Sequence, residues 1–144
     1  MLLKVRSAGD PVLRQVARAL SSEEVMSTEI QNLILHMRET MQDAPGVGLA
    51  APQIGEPIQM TVIEDTADYH KGISEANLKE MERIPVGFHV MFNPQIELLS
   101  PTDISFFEGC LSIPGVMAKV RRSRSVRVSY LDANTNPQVV EANG

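Results

Sequence analysis

The fold is decided by residues 88–107, FHVMFNPQIELLSPTDISFF, in which short apolar runs are separated by turn-forming pairs. Asn93-Pro94 and Ser100-Pro101 divide this stretch into FHVMF, IELL and DISFF, each of strand length. The pattern continues through MAKVRR, SVRVSYL and QVVEA, with turns at Pro114-Gly115 and at residues 132–134. From position 88 onwards, the sequence therefore predicts a series of short antiparallel strands.

A single long helix precedes these strands. Apolar residues recur at helical spacing over residues 29–42, on one face made of Ile30, Leu33, Ile34, Met37 and Met41. Thr28, followed three residues later by Gln31, indicates a capping box, and Pro45-Gly46 ends the helix. The alternation in IQMTVIE predicts a strand directly afterwards. An N-terminal helix packed on short antiparallel strands is an α+β fold, and we expect residues 1–144 to form one domain.

The composition excludes several classes of protein. A net charge of −5 and a pI near 5.2 argue against general nucleic-acid binding, which normally requires a basic surface. The basic run KVRRSRSVR alternates cationic and apolar residues, which indicates the solvated face of a strand rather than a phosphate-binding stripe. No segment has the ~20 apolar residues of a membrane span, no signal peptide is recognisable, and one cysteine cannot form an internal disulfide. We therefore expect a cytoplasmic protein.

The stretch GVGLAAPQIG, residues 46–55, contains Gln53 as its one polar side chain. One interpretation is a tight buried turn between the helix and the first strand. It is neither a dinucleotide fingerprint nor a P-loop, because the third glycine and the Gly-Lys-Ser/Thr sequence are missing. A side-chain amide in an apolar loop needs a partner when it is buried, and it can donate a hydrogen bond to an oxyanion.

The stretch EGCLS, residues 108–112, carries Cys110, the only cysteine. A lone thiol is a buried apolar residue, a nucleophile or a metal ligand. No histidine lies near it in sequence, and His36, His70 and His89 are scattered without metal-ligand spacing. For each histidine, a satisfied or solvent-exposed side chain is the preferred interpretation. The residues themselves therefore show no ligand set for Cys110.

Together, GVGLAAPQIG and EGCLS resemble two motifs of the peptide deformylase family, Gly-φ-Gly-φ-Ala-Ala-x-Gln and Glu-Gly-Cys-φ-Ser. The opening AGDPVLR and the tripeptide FNP at residues 92–94 are also similar, so the resemblance covers essentially the whole chain. It implies an α+β metal hydrolase that removes the formyl group from N-terminal formylmethionine. It further implies nascent formylated peptides near the ribosome as partners, without specific nucleic acid or membrane, and a divalent metal, natively Fe²⁺ and replaceable by Zn²⁺ or Ni²⁺.

The resemblance also implies a role for each motif residue. Cys110 would be the thiolate ligand of the metal, and Gln53 and the backbone N–H of Leu111 would stabilise the oxyanion formed from the formyl group. The remaining motif residues would line the substrate groove or lie beside the metal pocket: Val47, Gly48, Leu49, Glu108 and Gly109. A bound metal lowers the pKa of its water towards neutrality, and each preorganised donor contributes about 3 kcal/mol.

The family's third motif, a helix bearing Gln-His-Glu-x-x-Asp-His, does not occur in the sequence. We therefore expect residues 1–144 to be a C-terminally truncated deformylase domain without the catalytic helix, two histidine ligands and the general-base glutamate. Such a chain is expected to bind metal poorly, to be inactive alone and to leave apolar sheet surface uncovered. The alternative is a non-catalytic paralogue that binds N-terminal peptides without hydrolysis.

Overall fold

The structure, a computed structural model, describes residues 1–144 and has three α-helices and seven β-strands. The helices are α1 (Ser22–Val25), α2 (Thr28–Asp43) and α3 (Glu75–Glu80). The strands are β1 (Gly48–Ala50), β2 (Met60–Asp65), β3 (Val86–Leu98), β4 (Ile104–Cys110), β5 (Ile113–Arg122), β6 (Ser125–Leu131) and β7 (Pro137–Asn143). None of the helices could cross a lipid bilayer. The α+β prediction is confirmed.

All strand pairs are antiparallel and form two sheets. The larger sheet has the order β1-β2-β3-β6-β7, so the short strand β1 lies at one edge. Strands β4 and β5 form a separate two-stranded hairpin. This arrangement leaves one side of β1 without a strand neighbour, next to the loop that carries Gln53.

Helix α2 begins one residue earlier than the capping pattern indicates. The N-cap is Ser27, whose hydroxyl oxygen accepts a hydrogen bond from a backbone N–H of the first turn at 3.3 Å. The prediction of Thr28 as the cap is therefore wrong by one position. Gln31 does not complete a capping box, because its amide donates to the carbonyls of Val25 (2.8 Å) and Ala133 (3.0 Å). Gln31 instead fastens the helix to the β6–β7 turn.

The predicted break at Asn93-Pro94 is a bulge inside the single long strand β3. Asn93 has a φ of +51°, and the pairing with β6 shifts register between Phe92 and Gln95. The Asn93 side chain bonds both the N–H and the carbonyl of Leu20, each at 2.8 Å. Because these bonds hold the bulge, β3 can continue and pair with β2 before it and with β6 after it.

The core lies between α2 and the adjacent face of the larger sheet. It contains apolar residues from the segments around α1, from α2 and from β1 to β3: Leu20, Val25, Ile34, Met37, Met41, Leu49, Ala51, Ile58, Met60, Val62, Val90 and Phe92. One carboxylate, Glu64, is also buried here, and it accepts hydrogen bonds from Gln42 (2.8 Å) and Arg38 (2.7 Å). These two bonds hold the pKa of Glu64 below its usual value.

The polar stretch 65–87 contains α3. It is fastened to the end of β2 by Asp65, which accepts two hydrogen bonds from Arg83 (2.8 and 3.0 Å) and lies 2.9 Å from His70. Burial alone would raise the pKa of Asp65, but these partners outweigh burial and lower it. The segment 65–87 is therefore attached to the sheet through the partly buried cluster of Asp65, His70 and Arg83.

Several large apolar side chains on the larger sheet are exposed. Ile96 and Leu98 of β3 are 67% and 61% exposed, and Val140 of β7 is 37% exposed. The register places Ile96, Val128 and Val140 side by side across three strands, on one face of the sheet. On this face Ile96 and Val140 are exposed, whereas Val128 between them is only 9% exposed.

Candidate active site

The first motif is positioned by the end of α2. The Gly46 N–H donates to the carbonyl of Met41 at 2.7 Å, which turns the chain out of the helix and into β1. A β carbon at Gly46 would lie 2.9 Å from Cδ1 of Leu111, closer than non-bonded carbon atoms approach each other. The absence of a side chain at position 46 thus lets the second motif pack directly against the first.

At the free edge of β1, the backbone is more accessible than the side chains. The Val47 carbonyl accepts from the N–H of Glu64 (3.0 Å), and Gly48 pairs with Ile63 of β2. Val47 is 44% exposed, whereas the Leu49 side chain is 1% exposed and lies in the core. Of the residues predicted to line a groove, Leu49 could therefore contribute only its backbone. The unpaired side of β1 can accept an extended peptide as an additional strand.

Gln53 lies in the 3₁₀ turn Ala51–Ile54 that follows β1. Its side-chain Oε1 accepts from the Ala50 N–H at 2.9 Å. Its Nε2 donates to the hydroxyl of Ser112 at 3.2 Å and lies 3.8 Å from the sulfur of Cys110. Gln53 and Cys110 are 57 positions apart in sequence, so folding brings the two motifs into one site.

The second motif is positioned by the β4–β5 hairpin. Glu108 accepts two hydrogen bonds from the Arg122 guanidinium, at 2.7 and 2.9 Å. This donation by Arg122 is the main reason that the pKa of Glu108 lies below its usual value. The hairpin encloses an open cleft of about 240 Å³, which is lined by Glu108, Gly109, Cys110, Ile113, Val116, Ala118, Val120 and Arg122.

Leu111 and Ser112 form the two-residue turn between the paired residues Cys110 and Ile113. The Leu111 N–H is used by neither strand, and it donates to no backbone carbonyl of a turn or loop. The Leu111 side chain packs against the core cluster. The structure thus brings two donors, the Gln53 amide and the Leu111 N–H, to the neighbourhood of the exposed Cys110 thiol.

The N-terminal segment forms backbone hydrogen bonds with both motifs. The Arg6 N–H donates to the Gln53 carbonyl at 2.7 Å, and the Ala8 N–H donates to the Ser112 carbonyl at 2.8 Å. The Arg6 side chain also lies against Gly55, which ends the turn of Gln53 with a φ of +91°. These contacts fix the backbone on both sides of the site.

The residues present do not complete a metal site. Cys110 and Glu108 are the only side chains of metal-ligating type that line the cleft, Glu108 is paired with Arg122, and the structure contains no group of three or more His, Cys, Asp or Glu side chains able to hold an ion. The histidines are engaged or located elsewhere: His70 lies against Asp65, His89 bonds the Gly87 carbonyl, and His36 is on α2. The interpretation of these histidines and the roles assigned to Cys110 and its neighbours stay predictions.

Three residues of the site were missed by the sequence reasoning. Ser112 is part of the quoted motif but was given no role, although it bonds Gln53. Arg122 forms an ion pair with Glu108 across the hairpin, although the strand register places Ala118 opposite Glu108 and Ile104 opposite Arg122. No sequence signal marks Arg6, because its backbone contact with Gln53 joins distant segments.

The fold and this site define an α+β protein in which the amide of Gln53, in the turn after the edge strand β1, lies beside an exposed thiol. The sequence model of the polypeptide deformylase family matches residues 2–144. The chain belongs to the polypeptide deformylase family, which is a family of hydrolases. The resemblance found in the sequence is thereby confirmed.

Named relatives show the same relationship. The chain is 42% identical over 137 residues to the chloroplastic peptide deformylase 1A of Solanum lycopersicum, covering 95% of this chain and 50% of that protein. It is 43% identical over 135 residues to the peptide deformylase of Brucella suis, covering 94% of this chain and 67% of that protein. The chain thus spans about half the length of the plant relative.

Solved structures agree with the fold. A peptide deformylase from Synechococcus elongatus in complex with actinonin matches with a TM-score of 0.77 at 37% identity, over 99% of this chain and 66% of that one. The class I type b enzyme from Acinetobacter baumannii, bound to Met-Ala-Ser, matches with a TM-score of 0.86 at 26% identity, over 100% of this chain and 85% of that one.

Proposed function

We propose that the protein is a peptide deformylase, which hydrolyses the formamide of N-terminal formylmethionine on newly made polypeptides. The observation that carries the proposal is the contact of the Gln53 amide with both Ser112 and Cys110, which brings the two motifs together beside the hairpin cleft. Membership of the family and the named relatives support the same activity.

In this proposal, the residues described here recognise the formyl group and the peptide. The Gln53 Nε2 and the Leu111 N–H donate to the formyl oxygen as it gains negative charge, and each such donor contributes about 3 kcal/mol. The peptide backbone pairs with the free side of β1 at Val47 and Gly48 as an added strand. The peptide Met-Ala-Ser in the Acinetobacter structure supports a substrate of this kind.

Family membership implies a divalent metal, and we propose Fe²⁺, with Zn²⁺ or Ni²⁺ as replacements, bound through the Cys110 sulfur. A thiolate suits these ions, but one ligand does not hold a catalytic ion. Because residues 1–144 do not supply a complete ligand set, we assign to them no step of water activation. Glu108 stays a carboxylate beside the cleft, since Arg122 engages both of its oxygens.

The expected place of action is where formylated chains emerge, near the ribosome in the cytoplasm. The support is indirect: the Brucella relative is a bacterial peptide deformylase, whereas the tomato relative is named chloroplastic. Nascent formylated peptides are the proposed partners, and neither nucleic acid nor membrane is required.

The test compares two peptides that differ only at the amino terminus. The natural full-length protein containing these residues is supplied with Fe²⁺ without oxygen and given formyl-Met-Ala-Ser or acetyl-Met-Ala-Ser. We expect formate from the first peptide and no acetate from the second, and we expect Cys110→Ser to abolish both turnover and bound metal. Binding of the formyl peptide without formate release would contradict the proposal and favour the non-catalytic paralogue.

A further inference from the structure

Ser112 is a buried serine whose hydroxyl contacts the amide of Gln53. The side chain is 5% exposed, and its oxygen accepts from Gln53 Nε2 at 3.2 Å. The Ser112 carbonyl is in turn fixed by the Ala8 N–H at 2.8 Å. The backbone of Ser112 is therefore held by the N-terminal segment, and its buried hydroxyl lies in contact with the Gln53 amide.

A primary amide needs two contacts to define its direction. The Ala50 N–H can only donate, so it selects the orientation in which Oε1 of Gln53 faces it. This bond alone would leave rotation about the terminal torsion, which has broad preferences in glutamine. The second contact, from Nε2 to Ser112, fixes that rotation.

The two Nε2 protons then have different roles. One is directed to the Ser112 hydroxyl, and the other is left on the side where the Cys110 sulfur lies, 3.8 Å from Nε2. A fixed donor contributes more to catalysis than a mobile one, because it requires no reorganisation as charge develops. The direction of the second proton, on the side of the Cys110 sulfur, consequently depends on Ser112.

We propose that Ser112 is a positioning residue that orients the Gln53 amide towards the formyl oxygen. The inference rests on the proposed function, but it concerns a contact that can be measured without turnover. Ser112 touches neither the substrate nor the metal in this proposal and acts through Gln53 alone.

The kinetic test is a double-mutant cycle in the natural full-length protein loaded with Fe²⁺. Ser112→Ala should lower kcat for formyl-Met-Ala-Ser about tenfold, the loss of one orienting hydrogen bond, and should change KM less than threefold. In a Gln53→Leu background, Ser112→Ala should change kcat less than twofold, because no amide remains to be oriented. An equal loss in both backgrounds, or no loss with Gln53 present, would overturn the inference.

Ser123→Ala is the matched control. Ser123 is also buried, at 7% exposure, but its hydroxyl has no hydrogen-bond partner. We expect this substitution to leave kcat and KM unchanged. A tenfold loss in kcat from Ser123→Ala would show that removing any buried hydroxyl of this region lowers activity, which would also overturn the inference.

A second measurement uses the unsubstituted protein and needs no turnover. In ¹⁵N-resolved NMR spectra, one Gln53 Nε2 proton should exchange with solvent at least tenfold more slowly than the other. Equal, rapid exchange of both protons would overturn the role of Ser112, even if formate release supports the proposed function. If slow exchange is found but formate is never released, the contact stands and the proposed function fails.

Discussion

Gly55→Ala tests how the turn of Gln53 is supported. Gly55 has a φ of +91°, where an alanine costs about 1–2 kcal/mol of backbone strain. Its new β carbon would lie 3.0 Å from Nε and 3.1 Å from Nη2 of Arg6, so the guanidinium must move by a few tenths of an ångström. Displacing this half-exposed side chain adds about 1 kcal/mol. We expect a total destabilisation of about 2–3 kcal/mol, which lowers the melting temperature by roughly 5–10 °C for a domain of this size.

Gly9→Ala provides the matched control. Gly9 has a similar φ of +103°, but no atom lies within 4 Å of the position of its β carbon. The entropic effect of replacing glycine in the unfolded chain is the same for both variants and cancels. Urea unfolding should therefore show Gly55→Ala to be less stable than Gly9→Ala by about 1 kcal/mol. Equal stabilities would refute the argument that the Arg6 side chain supports this turn.

Three further substitutions test other parts of the account. Gln53→Leu should lower kcat about 10²–10³-fold with little change in KM, because its hydrogen bond strengthens as the oxyanion forms; a change in KM alone would contradict this. Arg38→Met leaves the buried Glu64 with Gln42 as its one partner and should cost about 2 kcal/mol in urea unfolding, whereas a loss under 0.5 kcal/mol would show that the pair contributes little. Arg122→Met should cost about 0.5 kcal/mol at pH 7, since the pair with Glu108 is partly exposed and screened. Because Arg122 lowers the folded-state pKa of Glu108, this contribution is present above the unfolded pKa, near 4.3, and is lost as the pH falls below it. If the difference in unfolding free energy between the unsubstituted protein and Arg122→Met is the same at pH 2.5 as at pH 7, the assigned cause is contradicted.

Local patterns predicted the helix and most strands. The apolar stripe of α2 indicates residues 29–42, and the helix in the structure is Thr28–Asp43. Its buried apolar residues Ile34, Met37 and Met41 come from that stripe, whereas the buried Thr40 does not. Such patterns succeed because burial of one face is a property of consecutive residues.

Long-range contacts decided the elements that local patterns missed. Asn93-Pro94 has the chemistry of a turn, but the bonds of Asn93 to Leu20 hold it as a bulge within β3. Likewise, Ser27 rather than Thr28 caps α2, and Gln31 contacts Ala133 instead of the cap. Asn93 and Gln31 bind partners that lie far along the chain. At the start of α2, Ser27 and Thr28 have similar chemistry, so the sequence does not distinguish which of them is the cap.

In the candidate site, too, the sequence indicates individual residues but not the long-range contacts between them. The sequence marks Gln53 and Cys110 as unusual residues, and the family resemblance gives them roles. The sequence cannot show that Ser112 contacts Gln53, because this 3.2 Å hydrogen bond depends on how the hairpin packs against the loop that follows β1. Nor can it show that the Leu49 side chain is buried while Val47 remains exposed.

The central claim is that the two motifs form one formyl-binding cleft. Its most direct test is a titration of the ¹⁵N-labelled natural protein with formyl-Met-Ala-Ser and, separately, with unformylated Met-Ala-Ser. The account predicts that the formyl peptide shifts the NMR signals of the Gln53 side-chain amide and the Leu111 N–H, and that the unformylated peptide shifts them much less. Equal shifts with both peptides, or shifts confined to residues far from Gln53 and Cys110, would contradict it.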